Sequence, residues 1–176
     1  MVMKAIEASK KLEMSRFIAA QYQYSLVERN IEREFVPMFR NEGLGLVPWS
    51  LLGGGFLSGK YRNGEKPAKG RLSTMPDEAE EAWHRRSTER NWKIIDKLGE
   101  IAEKRNKTYP QVALNWLRQK SFVPSIIVGA RTPEQLEDNL AAFDWELSGE
   151  EVDELDQVSA IPPIYPYRFI REFSER

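Results

Sequence analysis

Cysteine is missing from this sequence, and histidine occurs once, at His84. Without thiols there is no disulfide framework, thiolate zinc site or cysteine nucleophile, and a single imidazole excludes a multi-histidine metal site. Charge of one sign is not in excess either. With 26 Lys plus Arg against 27 Asp plus Glu, no basic field draws nucleic acid or an acidic membrane, and a small molecule is the expected partner. No apolar run approaches the roughly 20 residues that span a bilayer, and residues 1–11 lack the apolar heart of a secretory signal. A soluble, cytoplasmic protein is expected. Repeats at solenoid periods are missing too. The 176 residues fit one domain, 1–176, with enough chain to bury a substantial core.

What is concentrated in one place is glycine. Gly45-Leu-Val-Pro-Trp-Ser-Leu-Leu-Gly-Gly-Gly-Phe-Leu-Ser-Gly-Lys-Tyr61 is an apolar strand running into a glycine-rich loop that ends in lysine. Glycines let backbone N–H groups approach an anion closely, Lys60 adds a fixed positive charge, and Ser50 and Ser58 add hydroxyls. Together these make a phosphate cradle suited to a nucleotide. Gly54 to Lys60 matches the first seven positions of the G-x-x-x-x-G-K-[ST] phosphate loop. Tyr61, however, stands where the magnesium-binding hydroxyl belongs, and Asn63, Gly64 and Pro67 signal a turn in place of the following helix. The nucleoside-triphosphatase reading is therefore rejected. The dinucleotide fingerprint G-x-G-x-x-G fails as well, because Ser58 occupies its last glycine position. On spacing alone the loop is equally a flexible glycine linker with no ligand.

Residues 3–11 have helical composition with no capping residue ahead of them, an abrupt start that looks cut. Arg16–Leu26 reads as a buried strand, Glu34–Asn41 as a short helix with Pro37 in its first turn and Gly43 beyond its end, and Leu44–Trp49 as the next strand. A long polar connection, 61–88, carries Pro67, Gly70 and Pro76; a connector of this length is expected to be functional, such as a lid, or mobile. Glu89–Lys104 shows apolar residues at helical spacing, and Thr108 caps a second helix whose apolar side is Val112, Ala113, Trp116 and Leu117. Trp92 and Trp116 are then core anchors. Ser125–Ala130 reads as a short strand buried on both faces.

The turn that follows is a second chemical signal. Gly129 lies at the strand end, Thr132 is placed as helix cap, Pro133 falls in the first turn, and Gln135 is expected to complete a capping box. The free N–H groups and positive dipole end of that helix make an anion site, beside which Arg131 offers a bidentate phosphate ligand. On this segment alone, a well-capped helix with a solvated arginine is the simpler reading. Ser148-Gly-Glu-Glu151 announces a further helix to Val158, and 160–176 is a stiff tail bearing prolines and aromatics. Strands alternating with helices imply parallel β/α units and an α/β class. Three strands cannot close a barrel, so the chain has the look of part of a larger β/α architecture.

The segments Gln21–Asn30, Pro48–Tyr61, Pro110–Leu117 and Ile127–Asn139 resemble, in order and spacing, the aldo/keto reductase family, and the likeness extends over nearly the whole chain. The resemblance implies a partial (β/α)8 TIM barrel of about three parallel strands with their helices, corresponding to strands six, seven and eight of the C-terminal half. It implies NADP(H), extended across the C-terminal ends of the strands, and hydride exchange with an aldehyde, ketone or alcohol. Carried over position by position, Gln21 matches the glutamine that hydrogen-bonds the nicotinamide carboxamide, and Trp49 the aromatic that stacks on its ring. Ser50, Leu52, Gly53 and Lys60 match the loop around the pyrophosphate, and Arg71 falls where family members also reach the cofactor across a variable loop. Gly129 and Arg131 match the segment facing the adenosine 2′-phosphate, with Gln135, Asp138 and Asn139 around the adenine and ribose. The two glycine-bearing turns thereby become two parts of one cofactor site.

Departures from the family pattern matter too. Leu51 stands where the family usually has proline, which is expected to loosen the loop without removing a donor. The family's catalytic aspartate, tyrosine, lysine and histidine come from strands one to four, ahead of the first residue of this sequence, so no catalytic residue is assigned. His84 is expected on the surface, and Tyr22, Tyr24 and Tyr61 match no catalytic position. The expectation is an NADP(H)-binding portion, truncated and inactive alone, with the Tyr165-Pro-Tyr167 tail on the rim of the substrate pocket. Its expected partners are a carbonyl or alcohol substrate in the complete enzyme, and a missing N-terminal half or a second copy of itself. A cofactor-binding or interaction module without catalysis is the alternative, distinguished by tight NADPH binding with no turnover.

Overall fold

Alternating apolar patterns of strand and helix period divide the chain into short elements, and the computed structural model describes them over residues 1–174. In chain order they are α1 (Val2–Lys11), β1 (Ala19–Gln23), α2 (Phe35–Glu42), β2 (Gly45–Trp49), α3 (Trp83–Arg86), α4 (Glu89–Arg105), α5 (Tyr109–Arg118), α6 (Pro133–Leu140), α7 (Gly149–Val158) and α8 (Tyr167–Ser174), with short 3-10 turns between several of them. The last two residues of the 160–176 tail, Glu175 and Arg176, lie outside the described residues. Among those described, no helix is long and apolar enough to cross a membrane.

β1 and β2 pair in parallel, with Ala19 opposite Gly45 and Gln23 opposite Trp49. Parallel neighbours cannot be joined by a tight turn. The return path is a 3-10 turn at Asn30–Glu32 and then α2. Pro37 falls in the first turn of α2, where its missing N–H is harmless. The helix stops at Gly43, whose φ of 63° is the left-handed cap conformation that glycine adopts freely. Tyr22 of β1 packs on Phe35 and Phe39 of α2, with ring centroids 4.6 and 5.9 Å apart, so one face of the sheet carries the helix. Because side chains alternate along a strand, Gln21, Val47 and Trp49 share the opposite face.

The helical layer follows its caps and stripes. α4 buries Trp92, Ile94, Ile95, Leu98, Ile101 and Ala102, the spacing of one apolar face. The Thr108 hydroxyl accepts from the Gln111 N–H to start α5, and Ser148 and Glu151 close a full capping box at α7. Both expected anchors are in the core, Trp92 being 8% and Trp116 0% exposed. Trp116 stacks on Tyr24 at 5.5 Å, and its indole N–H donates to Asp156 of α7 at 3.0 Å. At roughly 25 cal/mol per Å2 over 150–250 Å2, each indole contributes about 4–6 kcal/mol of burial before entropy is counted.

Three expectations need correction. Ser125–Ala130 is not a strand, and the sheet has two strands where three were expected. The segment does run beside β2, and the Leu46 N–H donates to the Phe122 carbonyl at 2.7 Å. The next two rungs of a parallel ladder would be donated by residue 124 to the Leu46 carbonyl and by residue 48 to the residue 124 carbonyl. Both residues are proline, and neither has an N–H to give. Burial on both faces is not reached either, since Ile127 is 59% exposed. The first strand is shorter than expected, and Phe17 and Ile18 ahead of it are 59% and 75% exposed; β1 has a neighbour on one edge only among the described residues. Finally, the 61–88 connection is no free polar loop. Tyr61 and Trp83 at its two ends join Phe56 and Trp92 in one aromatic cluster, and Leu72, Glu81, Ala82 and Arg86 are buried.

Candidate functional site

The glycine run after β2 takes a shape that other residues adopt only with strain. Gly53, Gly54 and Gly55 have φ of 58°, 69° and 90°, and the chain curls through two short 3-10 turns joined at this kink, Gly53–Ser58. Its backbone is not wholly free to cradle an anion. The Gly53 N–H donates to the Ser50 carbonyl at 2.9 Å and the Gly55 N–H to the Leu52 carbonyl at 3.0 Å. Side-chain cations carry the attraction instead. Lys60 Nζ would lie 3.3 Å from a Cβ on Gly55 and 3.6 Å from one on Gly70, so the bare backbone at both glycines lets the ammonium stand between the turn and the 61–88 connection.

The start of α6 faces this turn. Thr132 Oγ1 accepts from the Gln135 N–H at 3.3 Å, as a cap should. The expected capping box does not close, because Gln135 Oε1 accepts from the N–H of Arg131, one residue ahead of the cap, at 3.0 Å. Asn139 is buried on α6, its Nδ2 donating to the Gly129 carbonyl at 3.5 Å. Gly129 has nothing within 4 Å of where a Cβ would stand.

Between the two turns lies a cleft of about 460 Å3, a size within the roughly 300–1,000 Å3 usual for ligand pockets. Ser50, Leu52, Lys60 and Arg71 line one side of it, and Gly129, Arg131, Gln135 and Asn139 the other. Leu51, Leu114 and Ile127 supply apolar surface. Lys60, Arg71 and Arg131 bring three positive charges, and no carboxylate lines the cleft among the described residues. The whole chain has a net charge of −1, so this local field is a matter of placement. Next to it the Tyr61 hydroxyl is buried without a hydrogen-bond partner, 3.9 Å from where a Gly55 Cβ would be. An orphaned donor beside a lysine and a bare glycine backbone is what a phosphate-bearing ligand would satisfy.

The remaining four of the residues expected from sequence lie outside the cleft lining. Gln21 and Trp49 are on the sheet face away from α2, two rungs apart on neighbouring strands, and Trp49 is 41% exposed. Gly53 is packed beneath its turn, where a Cβ would approach Val27 Cγ2 to 2.8 Å. Asp138 faces α5 and accepts from Thr108 Oγ1 at 3.0 Å and from Gln111 Nε2 at 2.7 Å.

Residues 2–160 match the model of the aldo/keto reductase family. The chain belongs to that family. It is 32% identical over 166 residues to Protein tas of Escherichia coli, covering 94% of this chain and 46% of that protein. It is 31% identical over 172 residues to norsolorinic acid reductase stcV of Emericella nidulans, covering 97% of this chain and 41% of the other. A probable voltage-gated potassium channel subunit beta of Arabidopsis thaliana is 29% identical over 168 residues, covering 94% and 51%. The chain thus spans about half the length of these curated relatives, or less.

In this aldo/keto reductase chain, Leu51 stands at the position where the family usually has proline. It is 7% exposed and part of the core while also reaching the cleft. His84 is exposed, as expected. Tyr24 is fully buried, its hydroxyl donating to Glu32 at 2.6 Å, and burial first, then the Glu32 charge, push its pKa well above the usual tyrosine range. The Tyr165–Tyr167 segment leads into α8, and the Tyr167 hydroxyl donates to Glu34 just ahead of α2. Sequence reasoning did not find Leu114, which sits in the apolar stripe of α5 among ordinary core positions, nor Glu81, a carboxylate in a segment read as polar connection.

Proposed function

We propose that these residues are the NADP(H)-holding, C-terminal portion of an aldo/keto reductase barrel, and that on their own they bind the cofactor without turning over a carbonyl. The observation that carries this reading is the convergence of two glycine turns some 75 residues apart in sequence, at Gly54 and Gly129, on one cation-lined cleft. When bound, the nicotinamide would exchange hydride with an aldehyde, ketone or alcohol; a relative named as a norsolorinic acid reductase supports a reductase reading. The work of this chain is binding and orientation. Lys60 and Arg71 would hold the pyrophosphate, Arg131 and Gln135 the adenosine 2′-phosphate end, and Trp49 and Gln21 the nicotinamide on the open face of the sheet. Tyr24, sealed in the core on Glu32, is in no position to supply a proton to the cleft. The outer edge of β1, with exposed Phe17 and Ile18 ahead of the strand, supports covering by an N-terminal half barrel or by a second copy.

The test is a titration of the purified chain with NADPH, following tryptophan fluorescence with Trp49→Phe as control, alongside Lys60→Met and Arg131→Ala. Saturable quenching, weakened about tenfold by each charge removal, is expected. Arg131→Ala should reduce the preference for NADPH over NADH, while Lys60→Met should weaken both alike. No quenching, or affinity indifferent to both substitutions, overturns the reading.

A further inference from the structure

Glu81 is 4% exposed, and its carboxylate collects groups from three separate segments. The Ser50 hydroxyl, at the head of the glycine turn, donates to Oε1. Arg71 Nη2 lies 3.1 Å from Oε2, and Arg86 Nη2 lies 3.9 Å from Oε1. The glycine turn rests directly on this acid, since a Cβ on Gly54 would be 3.5 Å from Glu81 Cδ. A buried negative charge behind a cleft whose charged lining residues are all cations works against an anionic ligand unless it does something for the cations.

Arg71 shows what that is. Its side chain is 58% exposed on the rim of the cleft, and a free arginine loses up to about 2 kcal/mol of rotamer entropy when a ligand fixes it. Pairing with Glu81 fixes it beforehand, so less of that entropy is lost on binding. Ser50 needs holding as well, because its φ of 58° is a left-handed conformation that non-glycine residues avoid. Arg86 supplies the balance beneath. It is 3% exposed, Nε and Nη2 have no hydrogen-bond partner, and burial lowers its pKa while the Glu81 charge opposes that shift. One acid between two arginines leaves a net positive charge at the turn.

We propose that Glu81 is a positioning residue of the cleft: its carboxylate sets Arg71 on the rim and Ser50 at the turn, so that a cation stands ready for a dinucleotide phosphate. This rests on the cofactor reading above. The experiment is a cycle of NADPH titrations on the chain with Arg71→Ala, with Glu81→Gln, and with both. Glu81→Gln is expected to weaken NADPH about tenfold when Arg71 is present and less than twofold when Arg71 is already alanine. Equal losses in the two backgrounds, or no loss in either, overturn the proposal, since a merely structural role would act regardless of Arg71. Glu81→Gln alone also leaves Arg86 buried without a countercharge, a strongly destabilising change. The pair Glu81→Gln/Arg86→Met removes both buried charges and takes its place in the same cycle, with thermal melts confirming the fold. An unsubstituted chain that fails to bind NADPH overturns the cofactor reading and this proposal together; a chain that binds without coupling overturns only this one.

Discussion

Replacing Gly54 by alanine separates two costs that the glycine turn combines. At φ 69° an alanine loses about 1–2 kcal/mol to contact between its Cβ and the backbone. The same Cβ would stand 2.9 Å from Leu72 Cδ2, on a side chain with no exposure. Leu72 then has to leave a filled site, and overpacking of that kind costs roughly 1–3 kcal/mol. The sum is about 2–5 kcal/mol, which at 2–4 °C per kcal/mol for a chain of this size lowers the melting temperature by about 4–20 °C. Gly64→Ala is the comparison. Its φ is 83° but nothing lies within 4 Å of the added Cβ, so only the backbone part remains, about 2–8 °C. Circular-dichroism melts of both variants read the difference directly. Because Leu72 follows Arg71 in sequence, Gly54→Ala should also weaken NADPH, while Gly64→Ala should leave its affinity alone. Were Gly54→Ala to melt no lower than Gly64→Ala, the claim that Leu72 closes the turn from below would be wrong, and with it the view of the 61–88 connection as anchored to the turn.

The other predictions concern stability against pH and the second turn. Glu151 accepts from Arg105 through both oxygens at 2.8 Å; that pairing first, with the Ser148 N–H and the Arg105 and Lys104 charges, lowers its pKa from 4.5 to about 2 against the opposing effect of burial. The folded chain thus favours the carboxylate, so its contribution is full above pH about 4.5 and is lost as pH falls through about 2. With Arg105 partly exposed, the contribution is discounted to about 1–2 kcal/mol, and Glu151→Gln should melt lower than the parent at pH 7, with the gap closing near pH 2. Gly129→Ala meets nothing within 4 Å and should leave the melting temperature unchanged or slightly raised; a several-fold loss of NADPH affinity in this well-folded variant would place the ligand against that backbone, and unchanged affinity would remove it from there.

Much of the architecture was legible because its signals are local. Thr108, Ser148 and Gly43 act within a turn of where they stand, and they bound α5, α7 and α2 as their chemistry demands. The apolar stripe of α4 carries its own period, so Trp92 could be assigned to the core before any neighbour was known. The third strand failed for a reason that local reading does not capture. Ile126 and Val128 have the composition of a strand, yet a strand exists through its neighbour, and the two rungs that would have joined it to β2 fall on Pro48 and Pro124. Each proline is unremarkable in its own segment; only the register that sets them side by side makes them decisive.

The site divides along the same line. Motif positions brought Lys60, Arg71, Arg131 and Asn139 to one cleft, because glycine turns fix where the chain doubles back and the cations travel with them. Carboxylates could not be sorted this way. Asp138, placed beside the cofactor on sequence grounds, is taken by Thr108 and Gln111, while Glu81, which no motif marks, is held by Ser50, Arg71 and Arg86. Both are acids in chains of polar residues, and what separates them is burial. A half-buried carboxylate such as Asp138 is satisfied by a neighbouring hydroxyl and amide, whereas one sealed under a glycine turn must be matched by whatever cations the fold brings within about 4 Å. Those partners stand 31 residues before Glu81, 10 before it and 5 after it, a spacing set by the packing of Leu72 and Ala82 and by no helical or strand period. The reach of sequence reasoning into this site therefore ends where a charge leaves water, and the cycle on Glu81 and Arg71 measures what lies past that point.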